Sequence, residues 1–317
     1  MSNKEKSPLI SVVLPIFNEE AVIAQVYERL KKVMSSQALA YEFIFVDDGS
    51  SDNSLSILEA MARKDPQVRY VSFSRNFGHQ IAITAGCDYC SGNYVIIMDC
   101  DLQDPPELIP ELIAKAEEGY DVVYAVRKSR EAESWFKKTT AFFFYRIFAA
   151  FTTIKMPLDT GDFRLINRKV LLTLKGLKEK NRFMRGLVSW VGFKQTGIPY
   201  DRESRKGGET KFNFLRMMQF SLDGIVSFST VPLKLASFLG LIIFILSSLL
   251  GIYCVGLKIF THQLVQGWLS LLLSVLFIGG VQLIFLGVIG EYLGRIYDEV
   301  KQRPLYVVNK KANIDNG

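Results

Sequence analysis

The residues of this chain best suited to chemistry are Asp99, Asp101 and Asp104, which close the run Tyr94-Val-Ile-Ile-Met-Asp99-Cys-Asp101-Leu-Gln-Asp104-Pro-Pro. An apolar, β-prone stretch that stops abruptly at acids and prolines reads as a buried strand ending at a functional edge. In an open α/β sheet, ligands bind beyond the carboxyl ends of the strands, so these acids would converge on a crevice. Asp99 and Asp101 stand two residues apart, and their carboxylates could approach one hard cation that itself bridges phosphate oxygens. The chemistry this suggests is a metal and nucleotide site.

Such an edge needs a sheet behind it, and the preceding sequence supplies strand, polar turn and helix in repetition. Residues 9–15 read as a first strand, after which Asn18 is an expected N-cap for a helix reaching about residue 35. Residues 41–46 form a second strand ending in Asp47-Asp48-Gly49-Ser-Ser-Asp52, with a helix over 55–62. Residues 68–74, 94–98 and 121–126 supply further strands, a helix of small residues follows His79, and Pro105-Pro106 opens another helix. This alternation predicts an α/β fold with a doubly wound, mostly parallel sheet. Four polar clusters then fall at strand ends: residues 15–19, 47–52, 99–104, and Asp159-Thr-Gly161-Asp162-Phe-Arg164. A solvated acidic turn explains any one of them alone. Four in this order are more specific.

At 317 residues and 49% hydrophobic, the chain exceeds one ordinary soluble domain. Its apolar excess lies late. Residues 235–257 and 268–290 are each roughly 23 residues without a charge, enough to cross the ~30 Å hydrocarbon layer as a helix. Arg216 and Lys234 precede the first run and Arg295, Lys301 and Arg303 follow the second, so both flanks are expected on the cytoplasmic side. Residues 135–153 and 213–230 mix aromatic and basic side chains and are expected as interfacial amphipathic helices, although a hydrophobic cover over the sheet explains the first nearly as well. The resulting division is a cytosolic catalytic domain over 1–212, an interfacial helix over 213–230, a two-helix membrane domain over 231–292 and a cytosolic tail over 293–317. The net charge of +6 is modest, and its basic clusters suit anionic headgroups or phosphates better than nucleic acid, for which no module is evident. Cys87, Cys90, Cys100 and Cys254 with only two histidines argue against a structural zinc site, and a cytosolic domain argues against disulfides.

Taken together the clusters resemble family 2 glycosyltransferases of GT-A fold, in which a V-x-x-P-x-x-N-E strand, a V-D-D-G-S-x-D turn and a D-x-D edge bind a nucleotide sugar. Within that family the chain is similar to the polyprenyl-phosphate group, of the dolichol-phosphate mannose synthase and bactoprenol glucosyltransferase type. The markers are Asp99-Cys-Asp101-Leu-Gln103-Asp104-Pro-Pro, Ser74-Arg-Asn76-Phe-Gly78, Gly161-Asp162-Phe-Arg164, Arg182-Phe-Met-Arg185-Gly186 with Trp190, Arg202-x-x-Arg205-x-Gly207-Gly-Glu-Thr210-Lys211 and the stretch from Gly290. One departure is Cys100, where a small residue such as alanine is expected.

The resemblance implies a role for each candidate residue. Asp101 is expected as the first metal ligand and Asp99 beside the ribose, diphosphate or metal, with Mg²⁺ or Mn²⁺ as the cation that offsets the leaving diphosphate's charge. Asp48 would bind uracil or ribose, Pro15 and Glu19 would shape the opposite wall, and Gln103 and Asp104 would hold the sugar or complete the metal shell. Asp162 would orient the attacking phosphate through a cation or act as general base, and both roles stand open. Arg127, Arg130, Arg202, Arg205 and Lys211 are candidates to grip a lipid phosphate, with a structural salt bridge equally open for any single one. The expected activity is inverting transfer of a hexose, glucose from UDP-glucose in the first instance, to undecaprenyl phosphate at the cytoplasmic face of the inner membrane. GDP-mannose or a UDP-aminosugar would use the same motifs. A noncatalytic membrane-anchored module that binds nucleotide sugar or anionic lipid is the reading from another class. Gly290 and Gly294 leave open self-association into a homo-oligomer or a tight hairpin within one chain.

Overall fold

The computed structural model describes residues 9–37, 39–128, 160–201, 229–261 and 267–314. Its centre is one sheet in the order β7-β5-β6-β4-β1-β2-β3-β8, built from β1 (Ile10–Ile16), β2 (Tyr41–Asp47), β3 (Val68–Phe73), β4 (Tyr94–Ile97), β5 (Val122–Arg127), β6 (Thr160–Asn167), β7 (Gln195–Tyr200) and β8 (Val308–Ala312). Every residue of β1 is buried, as expected of a strand covered on both faces. Alternate side chains divide between two cores. Val12, Leu14, Phe43 and Ile96 join the core that contains α1 (Ile23–Ser35), α2 (Ser54–Lys64) and α4 (Ile109–Glu117). Val13, Ile44, Val95 and Ile97 face the other, with α3 (His79–Tyr89), α5 (Arg168–Gly176) and α6 (Met184–Trp190). The helices thus cover both faces, as the doubly wound expectation requires.

The sheet is mixed. β1 pairs in parallel with β2 and β4, β3 with β2, and β5 with β7, whereas β6 runs antiparallel between β4 and β5, and β8 runs antiparallel beside β3. The strand alternation in the sequence stops at residue 126, and the reversed strands come from the less regular sequence that follows.

Asn18 is not a helix cap. It has a positive φ of 54°, and α1 begins only at Ile23 after Val22. Its Oδ1 instead accepts from the Ser51 amide at 2.8 Å, and its own amide donates to Ser50 Oγ at 2.9 Å. The side chain is more useful tying two turns together than ending a helix, since asparagine tolerates the left-handed region. Pro106 does open the expected helical segment, through a single 3₁₀ turn over Pro106–Leu108.

Two long helices follow, α7 (Val231–Thr261) and α8 (Trp268–Val300). Within them Val231–Tyr253 and Ser274–Val300 are long and apolar enough to cross a membrane, and neither is buried by the described residues. α8 continues to Val300, beyond the apolar run that marks it in the sequence. The amphipathic segment expected at 135–153, and all but the last two residues of the one expected at 213–230, lie outside the described residues.

Candidate active site

The carboxyl ends of β1, β2, β3 and β4 open on one edge, and the strand register explains how it forms. Val13 O accepts from the Met98 amide while Ile16 O accepts from the Asp48 amide, so odd residues of β1 bond toward β4 and even ones toward β2. Pro15 falls on the β4 side, past the last β1–β4 pair at Val13 and Ile97. There no donor is needed, so a proline is tolerated where the strands part. On the other side of β4, Ile97 pairs with Arg164 in antiparallel register. Continuing that register by two residues sets Asp162 opposite Asp99.

Asp162 is held from several sides. Its Oδ1 accepts from Arg185 Nε at 2.8 Å, and its Oδ2 accepts from Arg185 Nη2 at 3.1 Å and from Gln80 Nε2 at 3.4 Å. His79 Nε2 lies 3.3 Å from Oδ2. Burial alone would raise the Asp162 pKa, but Arg185 and His79 overcome it and hold the group well below the usual carboxylate range. Burial would likewise lower the His79 pKa; its hydrogen bond to Asp162 and the charges of Asp99 and Asp162 instead push it up to about 9. Arg164, buried beneath, donates through Nη2 to Gly161 O at 2.7 Å. Burial draws its pKa down to about 10, with Asp162 opposing.

Asp99 differs from its neighbour. Its Oδ1 is buried and accepts no hydrogen bond from the described residues, with His79 Nε2 3.4 Å away. Burial raises its pKa, His79 opposes this, and Asp162 and Asp101 reinforce it. One ligand atom each from His79, Asp99 and Asp162 lies within 4.8 Å of the others, a group that could hold a metal ion. An orphaned carboxylate oxygen facing two further donors is the arrangement a cation would satisfy.

The remaining acids each have a local partner. Asp101 Oδ1 accepts from the Gln103 amide at 3.1 Å. Asp104 is buried and accepts from Tyr200 Oη at 2.7 Å, and burial followed by the charge of Asp104 pushes the Tyr200 phenol up. Asp48 accepts from the Phe77 amide at 2.6 Å and the Gly78 amide at 2.9 Å. Burial raises its pKa while those two amides oppose it. Asp48 therefore fastens the β3–α3 turn that delivers His79. Gly49 makes this approach feasible: its φ is +69°, and a Cβ there would lie 2.4 Å from the Arg75 carbonyl carbon. Arg75 itself lies over the Phe77 ring at 3.9 Å. On the opposite wall the Glu19 amide donates to Ser54 Oγ at 3.0 Å, and Glu20 Oε2 accepts from the Asn53 amide at 2.9 Å, so the turns after β1 and β2 form one braced unit.

The structure therefore brings Asp99 and Asp162 together, leaves Asp101 capping its own turn, and places Asp48 and Asp104 in supporting hydrogen bonds. Gln103 is half-buried beside them. Arg127 ends β5 opposite Tyr200, its Nη2 is the nearest atom to a Cβ built at Gly161, at 3.2 Å, and its buried Nε has no partner among the described residues. Arg130, Arg202, Arg205 and Lys211 lie outside those residues. Cys100 is buried in the hydrophobic core, which suits any small apolar side chain. The sequence reading missed the site role of His79, Gln80 and Arg185. Arg185 was visible only as part of a motif, and His79 only as one of two histidines beside Gly78.

Residues 11–174 match the sequence profile described as glycosyl transferase family 2. An uncharacterized glycosyltransferase of Bacillus subtilis is 54% identical over 96% of this chain and 95% of its own length. A prophage-derived bactoprenol glucosyl transferase of Shigella flexneri is 44% identical over 95% of this chain and 97% of its own. Among solved structures, glucosyl-3-phosphoglycerate synthase from Mycobacterium tuberculosis in complex with Mn²⁺, UDP-glucose and phosphoglyceric acid covers 69% of this chain and 78% of its own at 20% identity, with a TM-score of 0.47. With a family profile over half its length and relatives that align along nearly all of it, the chain belongs to glycosyltransferase family 2.

Proposed function

We propose that the protein is an inverting, membrane-anchored glycosyltransferase that moves a hexose, glucose from UDP-glucose, to undecaprenyl or another polyprenyl phosphate at the cytoplasmic face. The observation that carries the acceptor and the sugar is the full-length similarity to a protein named as a bactoprenol glucosyl transferase. The acidic edge supports it chemically, and α7 and α8 supply a means of keeping that edge at a lipid surface.

Asp99 and Asp162, with His79 once it has given up its proton and Asp101 on the same turn as a further ligand, would hold a divalent cation, Mg²⁺ or Mn²⁺. Bound there, such an ion would offset the charge that develops on the departing diphosphate. The chain's own residues do the rest. Asp48 and the braced turns after β1 and β2 form the nucleotide side, and Asp104 with Tyr200 fixes the turn against which the sugar rests. Asp162 faces the acceptor. A polyprenyl phosphate is already largely ionised at neutral pH, its second pKa lying near ~6, so little base assistance is needed. An acid held far below the usual range by Arg185 is also a weak base, so Asp162 acts by orienting charge and not by taking a proton. Arg127, whose guanidinium lies near Gly161, is the first candidate to meet the phosphate, with Arg130, Arg202, Arg205 and Lys211 as further candidates. Direct displacement at the anomeric carbon then inverts its configuration. The test is to supply purified protein with undecaprenyl phosphate, Mg²⁺ or Mn²⁺ and a panel of radiolabelled nucleotide sugars. Label should appear in lipid from UDP-glucose; transfer from a different donor alone would reassign the sugar, and transfer from none would defeat the reading.

A further inference from the structure

The chain beyond α8 returns to the catalytic sheet. β8 pairs with β3, and the Ser74 amide donates to Val307 O at 3.0 Å, extending the contact one residue into the turn that carries Phe77, Gly78 and His79. Tyr306 stacks on Phe73 with centroids 5.0 Å apart and planes at 19°. Phe73 in turn meets Phe77 edge to face at 5.6 Å, and the Phe77 amide is one of the two that Asp48 accepts. The Tyr306 hydroxyl donates to Asp88 Oδ2 at 3.0 Å near the far end of α3. One side chain thus touches both the strand that enters this turn and the helix that leaves it. A second tie lies earlier in the same segment. Glu299, in the last turn of α8, accepts from the Lys180 amide at 2.7 Å, in the loop leading to α6 and Arg185.

We propose that residues 299–314 form a strap that positions the two loops flanking the acidic edge, with Tyr306 as its main positioning residue for the donor side of the site. The assignment of that side to a nucleotide rests on the function proposed above; the mechanical link does not. Because the strap begins where α8 ends, the membrane helix and the site are joined through it as well as through the chain that precedes α7. Lys310 serves as an internal control, since it lies on β8 and pairs with Glu59 at 2.9 Å, away from residues 74–78.

The experiment uses full-length protein in detergent and compares Tyr306→Ala, Tyr306→Phe and Lys310→Ala by hydrogen exchange and by UDP binding in the presence of Mn²⁺. In Tyr306→Ala, amides 74–78 should exchange at least tenfold faster while those of β1 and β2 keep their protection. UDP affinity should fall roughly three- to tenfold, the range an aromatic pair supports. Tyr306→Phe keeps the stacked ring but loses the hydrogen bond to Asp88, and should fall between the wild type and Tyr306→Ala in both readouts, whereas Lys310→Ala should bind UDP like the wild type. If Tyr306→Ala fails to fold, Tyr306→Leu keeps apolar bulk without the stack and takes its place. Unchanged exchange at 74–78 would overturn the strap. Faster exchange there with undiminished UDP affinity would overturn its positioning role. A wild type that binds neither UDP nor GDP would count against the donor site, leaving the exchange comparison to decide whether the strap holds the turn.

Discussion

Gly49→Ala tests whether the Asp48 turn and the β3–α3 turn act as one clasp. Two quantities decide the effect. An alanine at a φ of +69° carries the left-handed strain of about 1–2 kcal/mol. Its Cβ would also lie 2.4 Å from the Arg75 carbonyl carbon, 2.8 Å from Arg75 Cα and 2.8 Å from the Asn76 amide nitrogen. All three are backbone atoms, so a rotamer change cannot relieve the contact. Residues 75 and 76 would have to withdraw, stretching the two hydrogen bonds from the Phe77 and Gly78 amides to Asp48 by the equivalent of one bond to a charged group, about 1.5–3 kcal/mol. The sum is about 2.5–5 kcal/mol, or roughly 5–20 °C in melting temperature at the scaling of a 150–250-residue domain. Gly119→Ala is the matched control, because its φ is +90° but nothing lies within 4 Å of the added carbon. It should show the backbone strain alone, roughly 2–8 °C. Thermal unfolding of both variants, with UDP binding measured beside it, makes the comparison. If the two melt within about 2 °C of each other and Gly49→Ala binds UDP normally, the close approach of these turns is not what holds the site.

Other expectations follow from the same geometry. Arg185→Ala leaves the buried Asp162 with His79 and Arg164 as its remaining charged neighbours, and should lower stability by about 2–3 kcal/mol, short of the 3–5 seen when a buried ion loses its sole partner; Arg185→Lys should recover only part of this, because the fork-shaped contact is lost, and thermal unfolding reads both. Asp99→Asn should weaken Mn²⁺ binding, followed by paramagnetic resonance, by at least roughly tenfold, whereas Asp101→Asn should abolish turnover with folding intact; an active Asp101→Asn with unchanged metal dependence would remove Asp101 from the metal shell. Away from the site, Asp65 accepts from Tyr27 and Lys31 at 2.7 and 3.0 Å. Burial would raise its pKa, but the Tyr27 hydroxyl, the Gln67 amide and Lys31 draw it below its ordinary value. A lowered folded-state pKa stabilises the protein above the unfolded value near ~3.9 and is lost as pH falls through the folded value. Asp65→Asn should therefore be less stable than the wild type at neutral pH by about 1–3 kcal/mol, with the gap closing in acid-unfolding curves below about pH 4.

What the sequence revealed follows from how local each signal is. The acidic edge at Asp99 was legible because a buried strand that ends in acids carries its meaning within a few residues. The central strands were legible for the same reason, being apolar runs between polar turns. Asp162 was found through its motif, but its position opposite Asp99 depends on the reversed β6, and an antiparallel neighbour some sixty residues away leaves no mark in local periodicity. His79 and Arg185 were missed as site residues because their importance lies in what faces them across that register. Asn18 misled because an asparagine before a helix is a cap far more often than a link between turns. β8 was read as tail because Val308-Asn-Lys-Lys-Ala has little strand pattern of its own. Its pairing comes from the exposed edge of β3.

The most direct measurement is the product formed by purified protein from UDP-glucose and undecaprenyl phosphate, with the configuration at the anomeric carbon read by nuclear magnetic resonance. Direct attack by the lipid phosphate on an α-linked donor should give a lipid-linked glucose of β configuration. Formation of no lipid-linked sugar from any nucleotide donor would contradict the transferase reading, and an α-linked product would contradict the direct displacement assigned to the Asp99 and Asp162 edge.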